Sequence, residues 1–116
     1  MIYDPVGGDV FDESVRSIAF NGRLLSVGFA SGRIPTLPVN MALIKGFSLM
    51  GVRAGEFGRQ FPDLGRQNQD AIWGMAEEGR LNPRVHAELP LERWREAYDL
   101  LGERRVIGKA IIRPDL

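Results

Sequence analysis

The sequence predicts an α/β domain whose parallel strands are joined by helical crossovers. Three observations predict it. Short apolar strand patterns alternate with helical ones from the first residues onward. Glycine-rich segments follow the strands directly, at residues 7–8, 28–32 and 51–58. The strand-to-strand spacing leaves room for crossovers, which are right-handed by default. Loops at the carboxyl ends of such strands are where open α/β sheets present backbone to ligands.

Taken in order, Ile2-Tyr3 is a strand stub that stops at Asp4-Pro5-Val6-Gly7-Gly8. Proline there removes a donor, and the paired glycines permit positive φ. Asp9 is placed as a helix N-cap, with Asp12 and Glu13 in the first turn, where the helix dipole favours negative charge. Val10, Phe11, Val15, Ile18 and Ala19 mark the buried face, and Asn21-Gly22 closes the helix. Arg23 to Val27 forms the second strand and runs into the loop Gly28–Gly32. Ile34-Pro35-Thr36-Leu37-Pro38 must be extended, because residues before proline avoid the helical region. Asn40 caps a short helix through Lys45, which Gly46 ends; Phe47 to Val52 is the third strand. Arg53-Ala54-Gly55-Glu56-Phe57-Gly58 reads as another glycine-punctuated loop.

The second half is more helical. Pro62-Asp63 opens a helix in which Leu64, Asn68, Ala71, Ile72, Met75 and Ala76 share a face, and Gly79 ends it. Val85 to Leu89 alternates like a half-exposed strand. Leu91, Trp94, Tyr98 and Leu101 recur at helical spacing between Pro90 and Gly102. Val106 to Arg113 is a terminal strand halted by Pro114. A composition shift near Gly79-Arg80 separates residues that serve different layers.

With 116 residues the chain has the size of one ordinary domain. Its 44% apolar and 26% charged residues are those of a soluble globular protein. Basic and acidic residues balance at fifteen each, with five of each sign in residues 1–58 and ten of each in 59–116. That balance argues against nucleic acid or an anionic membrane as the main partner. The absence of cysteine removes disulfides, thiolate metal sites and a cysteine nucleophile, and it fits a reducing, cytoplasmic setting. No charged leader precedes an apolar core at the N-terminus, and no run reaches the ~18–20 apolar residues that span a bilayer.

The glycine-rich strand ends are the leading site candidates. Small residues let backbone approach a ring or phosphate closely, and exposed N–H groups at strand ends can hold polar ligand edges. The competing reading is that they are simply tight turns. His86 has no partner at metal-ligand spacing and reads as structural or surface. Ser26, Ser31 and Ser48 have no adjacent base, and no nucleophile elbow occurs. Trp94 and Tyr98 read as core or interface packing. Lys109 is of interest because Gly108 beside it leaves room for a ligand, although an exposed edge lysine is the plainer account.

Several segments in order carry a resemblance: Asp4-Pro5-Val6-Gly7-Gly8-Asp9, Gly22-Arg23-Leu24-Leu25-Ser26-Val27-Gly28-Phe29-Ala30-Ser31-Gly32, Lys45-Gly46, Met50-Gly51-Val52 and Gly108-Lys109-Ala110-Ile111-Ile112. Gly79-Arg80-Leu81-Asn82-Pro83 and Leu89-Pro90-Leu91 fit the same pattern. The whole resembles the carboxyl-terminal third of a medium-chain dehydrogenase/reductase, in its zinc-free, zeta-crystallin-like NADPH:quinone oxidoreductase branch. The resemblance implies the second half of a Rossmann-type parallel sheet with flanking helices over residues 1–79. Residues 80–116 would be a segment that completes the catalytic domain. It further implies that Gly7, Gly28, Phe29, Ala30 and Ser31 lie against the ribose and nicotinamide end of NADPH. Met50, Gly51 and Val52 would touch the nicotinamide, and Lys109 would sit near the cofactor cleft. Family members commonly dimerise through the strand near Leu49–Val52. The implied reaction is hydride transfer from NADPH, with NADH as the other candidate, to a quinone or enone-like acceptor.

The family's glycine-rich pyrophosphate loop and its substrate-domain residues are not among these 116, so the expectation is a fragment inactive alone, owning one wall of a ligand site. The alternatives are a non-catalytic domain that oligomerises through the same edge strand, or a fragment of a zinc-dependent alcohol dehydrogenase.

Overall fold

A computed structural model describes residues 1–116. They form two compact units, Met1–Gly65 and Arg66–Leu116. In the first, β1 (Ile2–Asp4), β2 (Arg23–Ser26) and β3 (Ser48–Gly51) lie parallel in the order β1-β2-β3. The crossovers carry α1 (Gly8–Ser17) and α2 (Val39–Lys45). Asp4 aligns with Ser26, and Ser26 with Gly51, so the three carboxyl ends finish in one row. This is the α/β arrangement of parallel strands and flanking helices that the sequence predicts.

The core of this unit gathers Phe11, Val15 and Ile18 from the α1 side, Leu24 from β2, and Phe47. Ile2, Leu37, Met41 and Ala42 pack around them. Leu24 is fully buried, which is worth about 1.5–3 kcal/mol relative to leaving it in water. Val10 and Ala19, expected on the same face, are exposed. The helix also ends sooner than Asn21. Ile18 turns extended at φ −62°, ψ 136°, and its side chain fills the core instead of extending the helix by another turn. Asn21 still takes the left-handed conformation, and its N–H donates to the Gly46 carbonyl at 2.6 Å. Gly46 stops α2 in the left-handed region, where a Cβ would also collide with the Phe20 ring.

The segment after β3 corrects an expectation. Residues expected to form a loop fold as α3 (Ala54–Gln60), followed directly by α4 (Pro62–Glu77). Glu56 organises that turn of helix. It accepts from Arg59 at 3.2 Å and Gln60 at 2.9 Å, and Arg53 lies 3.7 Å away. The glycines serve close approach between the two helices: a Cβ on Gly65 would lie 2.8 Å from the Gly58 Cα.

In the second unit β4 (Val85–Pro90) pairs in parallel with β5 (Lys109–Arg113), with an irregularity between Val85 and Ala87. A 3₁₀ turn (Leu91–Arg93) leads into α5 (Trp94–Gly102). Leu89 and Ala97 are its buried apolar residues. The apolar stripe Leu91, Trp94, Tyr98 and Leu101 is exposed rather than core. Within it Trp94 meets Tyr98 edge-on at 5.8 Å, and Arg95 stacks 4.7 Å above the indole. β5 starts at Lys109 rather than Val106, because Arg104 and Gly108 both take positive φ in the turn before it. No helix of the structure is long and apolar enough to cross a membrane.

Candidate functional site

The candidate site is the carboxyl edge of the three-stranded sheet, and it is built around Asp4. This residue is 2% exposed, and its Oδ1 accepts the N–H groups of Val6 and Gly7, both at 2.9 Å. The bonds fold Pro5–Gly7 into a tight turn and start α1 at Gly8 with no side-chain cap. Gly7 sits at φ 68°, ψ −155°, a region essentially reserved for glycine.

The loop after β2 is laced onto this turn. Val27 and Gly28 N–H donate to the Asp4 carbonyl at 2.9 and 3.4 Å, Ala30 to Pro5 at 3.2 Å, and Ser31 to Val6 at 2.9 Å. Gly8 N–H returns a bond to the Arg33 carbonyl at 3.1 Å. At the far end, the Arg33 guanidinium lies 2.9 Å from Asp9 and 2.5 Å from Asp12, strapping the loop over the first turn of α1. Its side-chain hydrogen bonds to Asp12, then Asp9, hold its pKa above the ordinary arginine value.

This lacing changes what the edge can offer. The strand-end N–H groups expected to hold ligand edges are largely spent inside the protein: those of Val6, Gly7, Gly8, Val27, Gly28, Ala30, Ser31, Gly32 and Val52 all donate to protein oxygens. What remains for a ligand is a pre-ordered surface of side chains, carbonyls and two open glycines, Gly32 and Gly51. Phe29, Ala30, Ser31, Met50 and Gly51 are exposed on it, whereas Gly28 and Val52 are half-buried. Gly7 is buried, and a Cβ there would lie 2.9 Å from Phe29 Cδ1 and 3.1 Å from the Arg33 carbonyl. A Cβ on Gly28 would lie 3.1 Å from the Pro5 carbonyl. Those two glycines are therefore demanded by contact between turn and loop. At Gly51 a Cβ would meet nothing within 4 Å.

The structure thus brings Gly7, Gly28, Phe29, Ala30 and Ser31 together, and β3 with the residue after it carries Met50, Gly51 and Val52 beside them. Met50 pairs with Leu25, Gly51 with Ser26, and Val52 N–H donates to the Ser26 carbonyl at 2.9 Å. Lys109 belongs to the second unit, where its N–H donates to the Arg84 carbonyl at 2.9 Å. The room expected beside Gly108 is not free for a ligand. The Arg84 carbonyl occupies it, in the place a Cβ would take. His86 accepts a long 3.5 Å contact from the Ile107 N–H. Sequence reasoning missed Asp4 and Arg33 as organisers of this edge. The usable signal was an Asx-type residue directly before Pro-Val-Gly-Gly.

A cleft of about 190 Å³ lies between α1 and residues 36–41, lined by Phe11, Val15, Leu37, Pro38 and Met41 among others. None of the expected site residues lines it.

Against known proteins, residues 1–112 match a family model described as zinc-binding dehydrogenase. The chain belongs to that family. Among curated relatives it is 36% identical over 113 residues to a quinone oxidoreductase-like protein 2 homolog of Nematostella vectensis. That match covers 97% of this chain and 31% of the relative. It is likewise 36% identical to quinone oxidoreductase-like protein 2 of Bos taurus, covering 97% of this chain and 32% of that one. Among solved structures, a mycobacterial protein in complex with NADPH superimposes with a TM-score of 0.84 at 25% identity, covering 97% of this chain and 34% of that one. A quinone oxidoreductase of Pseudomonas syringae gives a TM-score of 0.78 at 26% identity, with the same coverage. The resemblance to a carboxyl-terminal portion of the medium-chain dehydrogenase/reductases is supported on both counts. The chain spans about a third of the length of these relatives.

The metal in the family description finds no donor set here. The sequence has no cysteine and one histidine, and no three His, Cys, Asp or Glu residues are grouped to hold an ion. No chemical step of this chain is routed through zinc.

Proposed function

We propose that this chain forms the nicotinamide-side wall of an NADPH-dependent quinone oxidoreductase, acting on a quinone or enone-like acceptor in the cytoplasm. The observation that carries the reading is the row of three carboxyl strand ends, with the β1 turn and β2 loop laced into one rigid surface. A family relative whose structure holds NADPH shares this fold closely. When bound, the cofactor supplies the hydride, and the protein's task is to hold the ring.

Phe29, Ala30 and Ser31 would flank the ring and ribose, and the open face of Gly51 would let the ring approach β3 between Met50 and Val52. Gly7 and Gly28 shape the wall from behind. The backbone carbonyls along the loop suit the donor amide of a carboxamide better than they suit a phosphate. Lys109 is retained as a cofactor-cleft residue on the resemblance alone, as is the division into a nucleotide-binding part, 1–79, and a catalytic-domain part, 80–116. With no pyrophosphate loop among its residues, the chain does not turn over by itself.

Assembly as a homodimer through β3 is favoured by one observation. β3 is last in the sheet order, and all four of its residues are exposed. Ser48 and Val52 N–H point toward β2, so by strand alternation those of Leu49 and Gly51 point to the open side. An open edge of this kind is a ready template for pairing.

Calorimetric titration of the chain with NADPH, and NADH alongside, tests the cofactor reading. Saturable heat with NADPH supports it, a preference for NADH moves it to the other cofactor, and silence from both overturns it.

A further inference from the structure

We propose that Asp4 is a positioning residue of this edge. Its carboxylate fixes the turn that carries Gly7 and, through that turn, the attitude of Phe29–Ser31 toward a bound dinucleotide; the proposal rests on reading the edge as a nicotinamide wall. A carboxylate at 2% exposure is an uncommon burial, costly unless charge-assisted hydrogen bonds offset it. No cation pairs with it. Its partners are the two turn N–H groups, Val6 and Gly7, both at 2.9 Å.

The same residue works in two directions. Its side chain holds the turn, while its main-chain carbonyl accepts Val27 and Gly28 N–H, where the β2 loop begins. The next acceptors along the loop, the Pro5 and Val6 carbonyls, lie within the turn that the Asp4 side chain folds. Gly7 presents the slot that Phe29 Cδ1 fills, 2.9 Å from where a Cβ would stand. Removing the carboxylate therefore frees the strip to which Ala30 and Ser31 are tied. It does so without altering any residue that itself faces the ligand. The exposed Arg33 strap at the far end cannot substitute, because it closes onto α1 and leaves Val6 and Gly7 N–H without an acceptor.

The experiment compares wild type, Asp4→Ala and Asp4→Asn by amide hydrogen exchange without ligand and by amide shifts on titration with NADPH. Asp4→Ala is expected to speed exchange at Val6, Gly7, Ala30 and Ser31 and to weaken NADPH about tenfold or more. Asp4→Asn keeps an oxygen able to accept both bonds and is expected to restore both readouts to within about threefold. Should Asp4→Ala not fold, Asp4→Ser, with a shorter reach, takes its place with the same readouts. Two results overturn the proposal: NADPH affinity equal in wild type and Asp4→Ala, or exchange that rises uniformly and includes Leu24 and Met50. A wild-type chain whose shifts ignore NADPH overturns the cofactor reading instead, and the ligand-free exchange data tell that failure apart from a failure at Asp4.

Discussion

Replacing Gly7 by alanine adds one methyl group where two physical costs coincide. At φ 68°, ψ −155° the backbone lies where only glycine is at ease, and a side chain there costs about 1–3 kcal/mol. The new Cβ would also stand 2.9 Å from Phe29 Cδ1 and 3.1 Å from the Arg33 carbonyl. The half-exposed phenyl ring can swing aside. The carbonyl can retreat only by loosening the Gly8 N–H bond it accepts, worth about 1 kcal/mol. The sum is a loss of about 2–4 kcal/mol, which should lower the urea midpoint by roughly 1–2 M for a domain of this size. Far-UV circular dichroism during urea unfolding reads it. Gly51→Ala is the control: its Cβ meets nothing within 4 Å, so its stability should stay within about 0.5 kcal/mol of wild type. Equal midpoints for Gly7→Ala and wild type would refute the account of why glycine stands at that turn.

Three further outcomes follow from the geometry. Leu49→Pro removes an N–H on the open side of β3 while leaving the Ser48 and Val52 bonds to the β2 side intact. Light scattering should then show the dimer lost, and an unchanged oligomer, or a monomeric wild type, would contradict edge pairing. Leu24→Ala, at a fully buried position in the middle strand, should cost about 2–5 kcal/mol in denaturant unfolding. At the other end of the chain, Asp115 has its pKa lowered by the Arg113 side-chain hydrogen bond first and its own backbone N–H second. A depressed carboxylate contributes above its unfolded pKa, and the contribution is lost as pH falls through the folded value. The contact should thus persist at neutral pH and disappear in strong acid. Carboxyl-carbon NMR should show Arg113→Gln moving Asp115 back toward the ordinary carboxylate value.

The alternation of strands and helices, and the glycines that punctuate it, were readable because periodicity and positive-φ residues are local signals. Asn21 and Gly46 take the left-handed conformations their types suggest. The three strand ends share a row in the structure, Asp4 beside Ser26 and Ser26 beside Gly51. Tertiary packing decided the rest. Ile18 leaves α1 to fill the core, and Gly55 and Gly58 sit inside a helix that Glu56 holds together, where composition alone suggested a loop. The stripe at Leu91, Trp94, Tyr98 and Leu101 has helical spacing, yet spacing cannot say which side of a helix is covered.

At the site, residue types located the edge but not how it is wired. The glycines at 7 and 28 invite a ligand when seen in sequence. In the structure they accommodate Phe29, the Arg33 carbonyl and the Pro5 carbonyl, whereas Gly32 and Gly51 keep open space. The spent N–H groups were invisible for the same reason. Which oxygen a loop amide finds depends on the neighbouring loop, and that neighbour is more than twenty residues away in sequence.

The central claim is that the carboxyl edge of the β1-β2-β3 sheet is a nicotinamide wall. Amide shift mapping of the isotopically labelled chain with millimolar NADPH tests it most directly. The account predicts shifts concentrated at Phe29, Ala30, Ser31, Met50, Gly51 and Val52, with smaller ones at Gly7 and Gly28 behind them. Shifts that bypass this edge and gather elsewhere, as at the cleft between α1 and residues 36–41, would contradict it.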